Sequence, residues 1–146
     1  MKRWSGRLAI GIALVAGFLA GSVMQTFGVL RAQSSERRVF EIRTYTAAPG
    51  KLDALHARFR DQTLTLFRRH GIESVAYFKP QDAPLSDTTL IYVLAHPSRE
   101  AAKANWAAFA ADPEWKAVKA TSEVTGPLTT KIESVFADPA DYSPMK

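Results

Sequence analysis

The sequence predicts an α+β domain in which a four-stranded antiparallel sheet carries two helices on one face. Two observations predict this arrangement. From residue 39 onward, segments of strand-like alternation and segments of helical spacing follow one another in the order β-α-β-β-α-β. A chain of 146 residues also has room for about one domain, so these elements are expected to share a single core.

The first half of the pattern is a strand followed by a helix. The segment "VFEIRTYTA" (residues 39–47) alternates between apolar and polar residues and predicts a strand, which Pro49 and Gly50 end. Residues 51–70 predict a helix, and Gly71 ends it because glycine is favoured just after a helix C-terminus. The side chains at helical spacing are Leu52, Leu55, Phe59, Thr63, Leu66 and His70.

The second half contains three strands and one helix. "ESVAYFKP" (residues 73–80) and "TTLIYVLAH" (residues 88–96) predict two strands with a turn between them. Ser98 is placed to cap the second helix, and "TTKIESVFA" (residues 129–137) predicts the last strand. The apolar stripe of the second helix consists of Ala102, Trp106 and Phe109.

The second helix is expected to stop and restart at "ADPEW". Pro113 disrupts a helix interior but fits the first helical position, and Asp112 before it is a favoured cap. Glu114 adds negative charge to the positive end of the new helix. The restart aims Trp115 and Val118 at a new surface, where Trp115 either packs in the core or faces a ligand.

The apolar pattern of the third predicted strand indicates that the chain forms a homodimer. "TLIYVLA" (residues 89–95) is apolar at consecutive positions, so both of its faces require burial. Two helices cover only one face of the sheet. We therefore expect a homodimer in which the two sheets pack face to face.

These residues resemble the NIPSNAP family. The resemblance is carried by "FEIRTYTAAPGKLDAL" and "HPSREAAKANWAAFAADPEWKAV", whose signature positions in this chain are Glu41, Arg43, Tyr45, Asp112, Pro113 and Trp115. It implies a ferredoxin-like protomer of the dimeric α+β barrel superfamily, here over residues 39–138 with a C-terminal tail at 139–146. Members of this family are largely uncharacterised, whereas fold relatives include small cofactor-free monooxygenases and haem-handling proteins.

The N-terminal segment, residues 1–32, predicts export. "MKRWSGR" is basic, and Leu8–Leu30 is an apolar run without charge, the pattern of a secretory signal peptide or a membrane anchor. The length slightly favours a retained anchor, and both alternatives place the domain on the extracytoplasmic side of a membrane. Residues 33–38 then form a short linker.

Charge and composition exclude several functions. The formal net charge is +5, but residues 1–32 hold four of the 19 basic residues and no acidic ones. The rest of the chain has 15 basic and 14 acidic residues, so it lacks the clustered positive charge of a nucleic-acid site. No cysteine, metal-ligand spacing or nucleotide-binding glycine motif is present, and we therefore predict no metal and no cofactor.

The candidate ligand-binding residues are Arg43, Tyr45, Tyr77, His96 and Trp106. Glu41, Arg43 and Tyr45 alternate along one strand, so their side chains share a face that we predict to be buried. One interpretation is that Arg43 pairs with Glu41 or, more favourably, Glu133 and fixes the dimer register. The other is that Arg43 binds an anion beside Tyr45.

The predicted function is an exported or membrane-tethered dimeric module that binds a partner or a small hydrophobic ligand. The alternative is a small cofactor-free monooxygenase or isomerase that acts on a hydrophobic compound in the cleft between sheet and helices. The sequence contains no recognisable acid–base pair, which favours the binding module, and no catalytic residue is assigned.

Overall fold

A computed structural model describes residues 38–145. Its strands and helices, in chain order, are β1 (Val39–Ala47), α1 (Leu52–Arg58), α2 (Leu64–Arg69), β2 (Glu73–Phe78), β3 (Thr89–His96), α3 (Arg99–Ala111), α4 (Pro113–Ser122) and β4 (Thr129–Ala137). A π-helical turn (Phe59–Thr63) joins α1 to α2 without a break. The predicted signal peptide or anchor at residues 1–32 lies outside the described residues. Within residues 38–145, no helix combines the length and hydropathy needed to span a bilayer.

The four strands form one antiparallel sheet in the order β2-β3-β1-β4. The predicted α+β, ferredoxin-like fold is therefore confirmed. Arg43 in the central strand β1 lies opposite Tyr92 of β3 and Ser134 of β4. This register decides which side chains share each face of the sheet.

Glu41, Arg43 and Tyr45 point towards the helices. Tyr45 is buried and meets the ring of Phe59, and the indole nitrogen of Trp106 donates to Glu41. The pairing of Arg43 with Glu41, one of the two predicted alternatives, is confirmed. The expectation that this pair lies on a face shared with a second copy is wrong. They belong to the core of one protomer.

The core lies between this face of the sheet and the helices. The predicted stripe on α1, the π-helical turn and α2 is buried, apart from the partly exposed His70 at its end. Gly71 follows with a φ of +68°, a left-handed conformation that glycine adopts without strain. This confirms the predicted end of the helix.

Helices α3 and α4 begin at the predicted caps. The Ser98 hydroxyl accepts from the Ala101 amide at 3.1 Å, and a carboxylate oxygen of Asp112 accepts from the Glu114 amide at 2.7 Å. The chain turns between the helices because Pro113 starts α4. Trp115 thereby comes to pack against Phe109 at the end of α3.

The other face of the sheet carries exposed apolar side chains. Ile42, Phe78 and Val135 are 40%, 52% and 60% exposed, and Ile91 and Val93 of β3 are only partly buried. The helices cover only one face of the sheet. Because β3 is apolar on both faces, its apolar side chains on the other face remain partly exposed. This is the surface on which the sequence predicts a second copy.

Candidate functional site

A cavity of about 220 Å³ lies between the helix-facing side of the sheet and the helices. Its wall is mainly aromatic and is formed by Tyr45, Phe59, Phe67, Trp106, Phe109 and Trp115. A dry apolar cavity of about 150 Å³ is large enough to hold benzene. The space between sheet and helices is therefore sized for a ligand built around about one ring.

The aromatic wall is held in place by its own packing. The Phe109 ring lies 4.5 Å from that of Trp115 and 5.0 Å from that of Phe67, centre to centre. Phe67 in turn meets Trp106 edge to face at 5.3 Å. Such ring pairs contribute about 0.5–1.5 kcal/mol each beyond the burial of area, so the wall is preformed.

Arg58 brings a buried positive charge to the cavity. One of its terminal nitrogens, Nη1, donates to the Glu123 carboxylate at 2.8 Å and to the Ser122 hydroxyl at 3.2 Å. The guanidinium carbon lies 5.3 Å from the centre of the Trp115 ring. The buried Nε has no acceptor among the described residues, so part of the hydrogen-bonding capacity of Arg58 is unused.

The π-helical turn supplies cavity residues directly after Arg58. Phe59 and Thr63, its first and last residues, both line the cavity. The Thr63 hydroxyl donates to the Arg58 carbonyl oxygen at 3.1 Å. Single π-helical turns inside α-helices are frequent at functional sites. Here the turn places an arginine, an aromatic ring and a hydroxyl on one wall.

Lys119 adds a second positive charge at the edge of the cavity. It is exposed on α4, lines the cavity and forms no ion pair within residues 38–145. The Glu123 carboxylate is already paired with Arg58. The lining therefore carries two cations and one anion, a net charge of +1.

Behind the aromatic wall, the buried Glu41 carboxylate accepts hydrogen bonds from four side chains. Arg43 Nη1 and the Ser134 hydroxyl donate to one oxygen at 2.5 and 2.6 Å, and Trp106 Nε1 and His96 Nε2 lie 2.7 and 3.0 Å from the other. Burial alone would raise the pKa of Glu41, but these hydrogen bonds outweigh it and lower the pKa to about 2. The network fixes the orientation of the Trp106 indole in the wall.

Arg43 positions two wall residues and does not line the cavity itself. Its guanidinium lies 4.3 Å from the centre of the Trp106 ring, and Nη2 donates to the Tyr45 hydroxyl at 3.2 Å. The pairing with Glu133 that the sequence favours is wrong. Glu133 lies opposite Thr44, on the other face of the sheet, and its carboxylate pairs with Lys131 at 2.8 Å.

Two of the predicted ligand-binding residues lie away from the cavity. Tyr77 stacks on Tyr92, and its hydroxyl lies 2.7 Å from that of Ser74. His96 is fully buried, where it contacts Glu41. Of the five candidates, the cavity wall contains Tyr45 and Trp106, and Arg43 lies directly behind them.

The Asp112–Pro113–Trp115 signature positions the last wall residue. Besides capping α4, Asp112 lies 2.6 Å from His70 Nε2. The hydrogen bond from His70 lowers the pKa of Asp112 against the opposing effect of burial. These contacts fix the start of α4 and thereby the position of Trp115. Trp115 packs on Phe109, as a core residue would, and it also lines the cavity, as a ligand-facing residue would.

Sequence reasoning missed Arg58, Lys119 and Glu123. The one available sign was the position of Arg58, three residues after the buried Leu55 and therefore beside the apolar stripe of the helix. Its contact with Glu123 joins positions 65 residues apart, which no local pattern reveals. Within residues 38–145, no three histidine, aspartate or glutamate side chains lie close enough together to hold a metal ion.

Comparisons with known proteins agree with this fold. The NIPSNAP family profile matches residues 40–144. A NIPSNAP family protein of unknown function from Agrobacterium tumefaciens is 24% identical, covering 77% of this chain and 96% of that one with a TM-score of 0.66. An uncharacterised NIPSNAP-like protein from Burkholderia xenovorans is 19% identical over 75% of this chain and 90% of its own, with a TM-score of 0.64.

A more distant similarity reaches an enzyme. The monooxygenase from the gene ActVA-Orf6 of Streptomyces coelicolor, solved in complex with nanaomycin D, is 16% identical over 74% of this chain and 92% of its own, with a TM-score of 0.52. At this identity the likeness concerns the fold alone. No curated protein matches the sequence. Since the family profile spans nearly all of the described residues, the chain belongs to the NIPSNAP family.

Proposed function

We propose that this protein is a binding module that holds a small, largely apolar ligand in the cavity between its sheet and its helices. The observation that carries the proposal is the aromatic wall around about 220 Å³ of space. Small-molecule sites are concave, mostly apolar and largely preformed, with a few polar groups that orient the ligand. The cavity has each of these properties.

The signature residues support this function by their positions. Glu41 and Arg43 hold Trp106 and Tyr45 through hydrogen bonds and ring contacts. A buried ionic network of this kind is weak evidence for a gain in stability. The network instead contributes to ligand binding, because it holds two rings of the cavity wall in fixed orientations.

We also propose that the module works as a homodimer, joined through the sheet face opposite the helices. This face includes the exposed side chains of Ile42, Phe78 and Val135. An exposed apolar surface on a sheet is typical of an interface. A second copy presents the same apolar surface, so the contact is self-complementary, as a two-fold interface requires.

The location that we propose is the extracytoplasmic side of a membrane. The support comes from the sequence, in which a basic start precedes the apolar run of residues 8–30. Whether that segment is cleaved or retained decides between a released and a tethered dimer. Both forms carry the same cavity.

A cofactor-free oxygenase is the weaker alternative. Its support is the fold shared with the Streptomyces coelicolor monooxygenase, and one fold hosts many functions. The one carboxylate in the lining of the cavity, Glu123, is already paired with Arg58. No observation at the cavity favours oxygenation over binding.

The test is calorimetric titration of benzyl alcohol into the full chain in phosphatidylcholine nanodiscs, with empty nanodiscs as the blank. We expect saturable binding by the wild type. Ile132→Phe, at the cavity lining, should weaken it roughly five-fold or more, because overpacking a fitted site costs about 1–3 kcal/mol. The matched control Val124→Phe, at a side chain 80% exposed outside the cavity lining, should bind as the wild type does.

The absence of saturable heat from the wild type would contradict the proposal. So would equal binding by the Ile132→Phe and Val124→Phe variants, because that result would place the probe outside the cavity.

A further inference from the structure

Building on the proposed binding function, we propose that the ligand is a small aromatic carboxylate, with its ring against the aromatic wall and its carboxylate on Arg58. The inference concerns the class of ligand and depends on the charges of the lining. Three charged residues line the cavity, namely Arg58, Lys119 and Glu123. Since their sum is positive, the lining favours an anionic ligand over a neutral or cationic one.

Arg58 lines the cavity, and no described residue accepts a hydrogen bond from its Nε or its Nη2. The residue is 8% exposed. Its hydrogen bonds to described side chains, those of Ser122 and Glu123, are both donated by Nη1. Its buried Nε has no acceptor among those residues. A buried donor without an acceptor is costly. Five buried side-chain nitrogen or oxygen atoms within residues 38–145 lack a partner, and Arg58 Nε is the one among them whose residue lines the cavity.

The chemistry of the unused group selects a carboxylate. The Nε and Nη2 nitrogens of an arginine form a planar fork that donates two parallel hydrogen bonds to a carboxylate. The Glu123 carboxylate is bound through Nη1 and leaves this fork free. Lys119, which has no ion-pair partner within residues 38–145, supplies a second, more mobile cation at the same cavity.

The size and shape of the cavity select a planar apolar body. The Trp115 ring lies beside both the Arg58 guanidinium and the Phe109 ring, so a ligand ring on this wall lies next to the guanidinium. Space of about 220 Å³ accepts one ring with a carboxylate attached. A ligand with several fused rings exceeds it.

Arg43 is not a competing site for the carboxylate. Its Nη1 donates to Glu41 and its Nη2 to the Tyr45 hydroxyl, and its guanidinium is stacked on Trp106. Its buried Nε also has no acceptor among the described residues, but Arg43 does not line the cavity. Glu41 balances its charge behind the wall. Arg58 is therefore the arginine that the structure assigns to the ligand.

The experiment compares benzoate with benzamide, which has nearly the same shape and no charge, by calorimetry on the full chain in phosphatidylcholine nanodiscs. We expect the wild type to bind benzoate at least about ten-fold more tightly, as a charge-assisted bidentate contact requires. Arg58→Gln should remove this preference. Lys119→Gln should reduce it by roughly three-fold, the effect of an exposed cation.

The matched control is Lys116→Gln, which removes an exposed lysine of the same helix that does not line the cavity. It should leave the preference for benzoate unchanged. If Arg58→Gln fails to fold by circular dichroism, the wild-type comparison and the two lysine variants still decide the question.

Each outcome has a distinct meaning. Equal binding of benzoate and benzamide by the wild type would overturn the carboxylate inference and leave the binding cavity in place. A preference for benzoate that survives in Arg58→Gln would overturn the role of Arg58. A preference that falls equally in both lysine variants would place the carboxylate outside the cavity. Binding of neither probe, nor of benzyl alcohol, would overturn the proposed function itself.

Discussion

At the scale of single residues, Glu41 connects the sheet to the wall of the cavity. Its carboxylate accepts from side chains on β1, β3, β4 and α3, which makes it the meeting point of four elements. Arg43 is the charge that balances it. The role of Glu41 and Arg43, the charged signature residues at the start of the domain, is therefore to hold Trp106 and Tyr45 in position.

A double-mutant cycle tests the pairing of Arg43. We expect Arg43→Met and Glu41→Gln to couple by about 1–3 kcal/mol in the free energy of unfolding, because the two side chains share a buried network. The same cycle on Arg43 and Glu133 should give a coupling near zero, since Glu133 lies on the other face of the sheet. Denaturant unfolding of the full chain in detergent provides both values. Larger coupling to Glu133 than to Glu41 would contradict the register described above.

The pH dependence of stability tests the Glu41 network. The pKa of Glu41 falls from 4.5 to about 2 on folding, so its contribution is complete above about pH 4.5 and is lost as the pH falls towards 2. The expected contribution is about 3 kcal/mol at neutral pH. We expect Glu41→Gln to lack this loss, while the exposed control Glu133→Gln follows the wild type. Urea unfolding between pH 7 and 2 measures the free energy of unfolding at each pH. An equal loss of this free energy on acidification in the wild type and in Glu41→Gln would argue against the network.

At the scale of elements, local patterns were sufficient to predict the strands, the helices and their caps. The Ser98 and Asp112 caps, the glycine after the first helix and the restart at Pro113 are all effects of neighbouring residues. The error over Glu133 arose from strand register. A shift of one residue reverses the face of every side chain, and no local pattern fixes the pairing of β1 with β4.

The restart of α4 can be tested through Trp115. We expect Trp115→Ala to destabilise the protein by about 2–3 kcal/mol, less than the 3–5 kcal/mol of a fully buried tryptophan, because the ring is only partly buried. The conservative control Trp115→Phe keeps a ring against Phe109 and should cost less than half as much. Thermal unfolding measures both. An unchanged melting temperature for Trp115→Ala would mean that the ring does not contribute to the core.

At the scale of the whole molecule, the cavity and the apolar sheet face lie on opposite sides of one sheet. The sequence predicts the unpaired face because consecutive apolar residues in β3 exceed what two helices cover. It did not predict the charged lining of the cavity. Arg58 ends α1, Lys119 lies on α4 and Glu123 directly follows α4, so Arg58 meets the other two only after folding.

The proposed dimer gives a prediction at this scale. Sedimentation equilibrium in density-matched detergent should give twice the mass of one chain for the wild type. Val135→Asp, on the apolar face, should give a single-chain mass, because a buried unpaired carboxylate opposes association. Val124→Asp, at an exposed side chain in the segment between α4 and β4, is the matched control and should remain dimeric. A monomeric wild type would show that the apolar face has another role.

The most direct test of the central claim, that the cavity is a ligand site, is a crystal structure of the full chain soaked with 4-bromobenzyl alcohol. Its bromine can be located by anomalous scattering. The account predicts a bromine peak inside the cavity, among the rings of Trp106, Phe109 and Trp115. A bromine peak confined to the apolar sheet face, or side chains collapsed into the space with no peak inside, would contradict it.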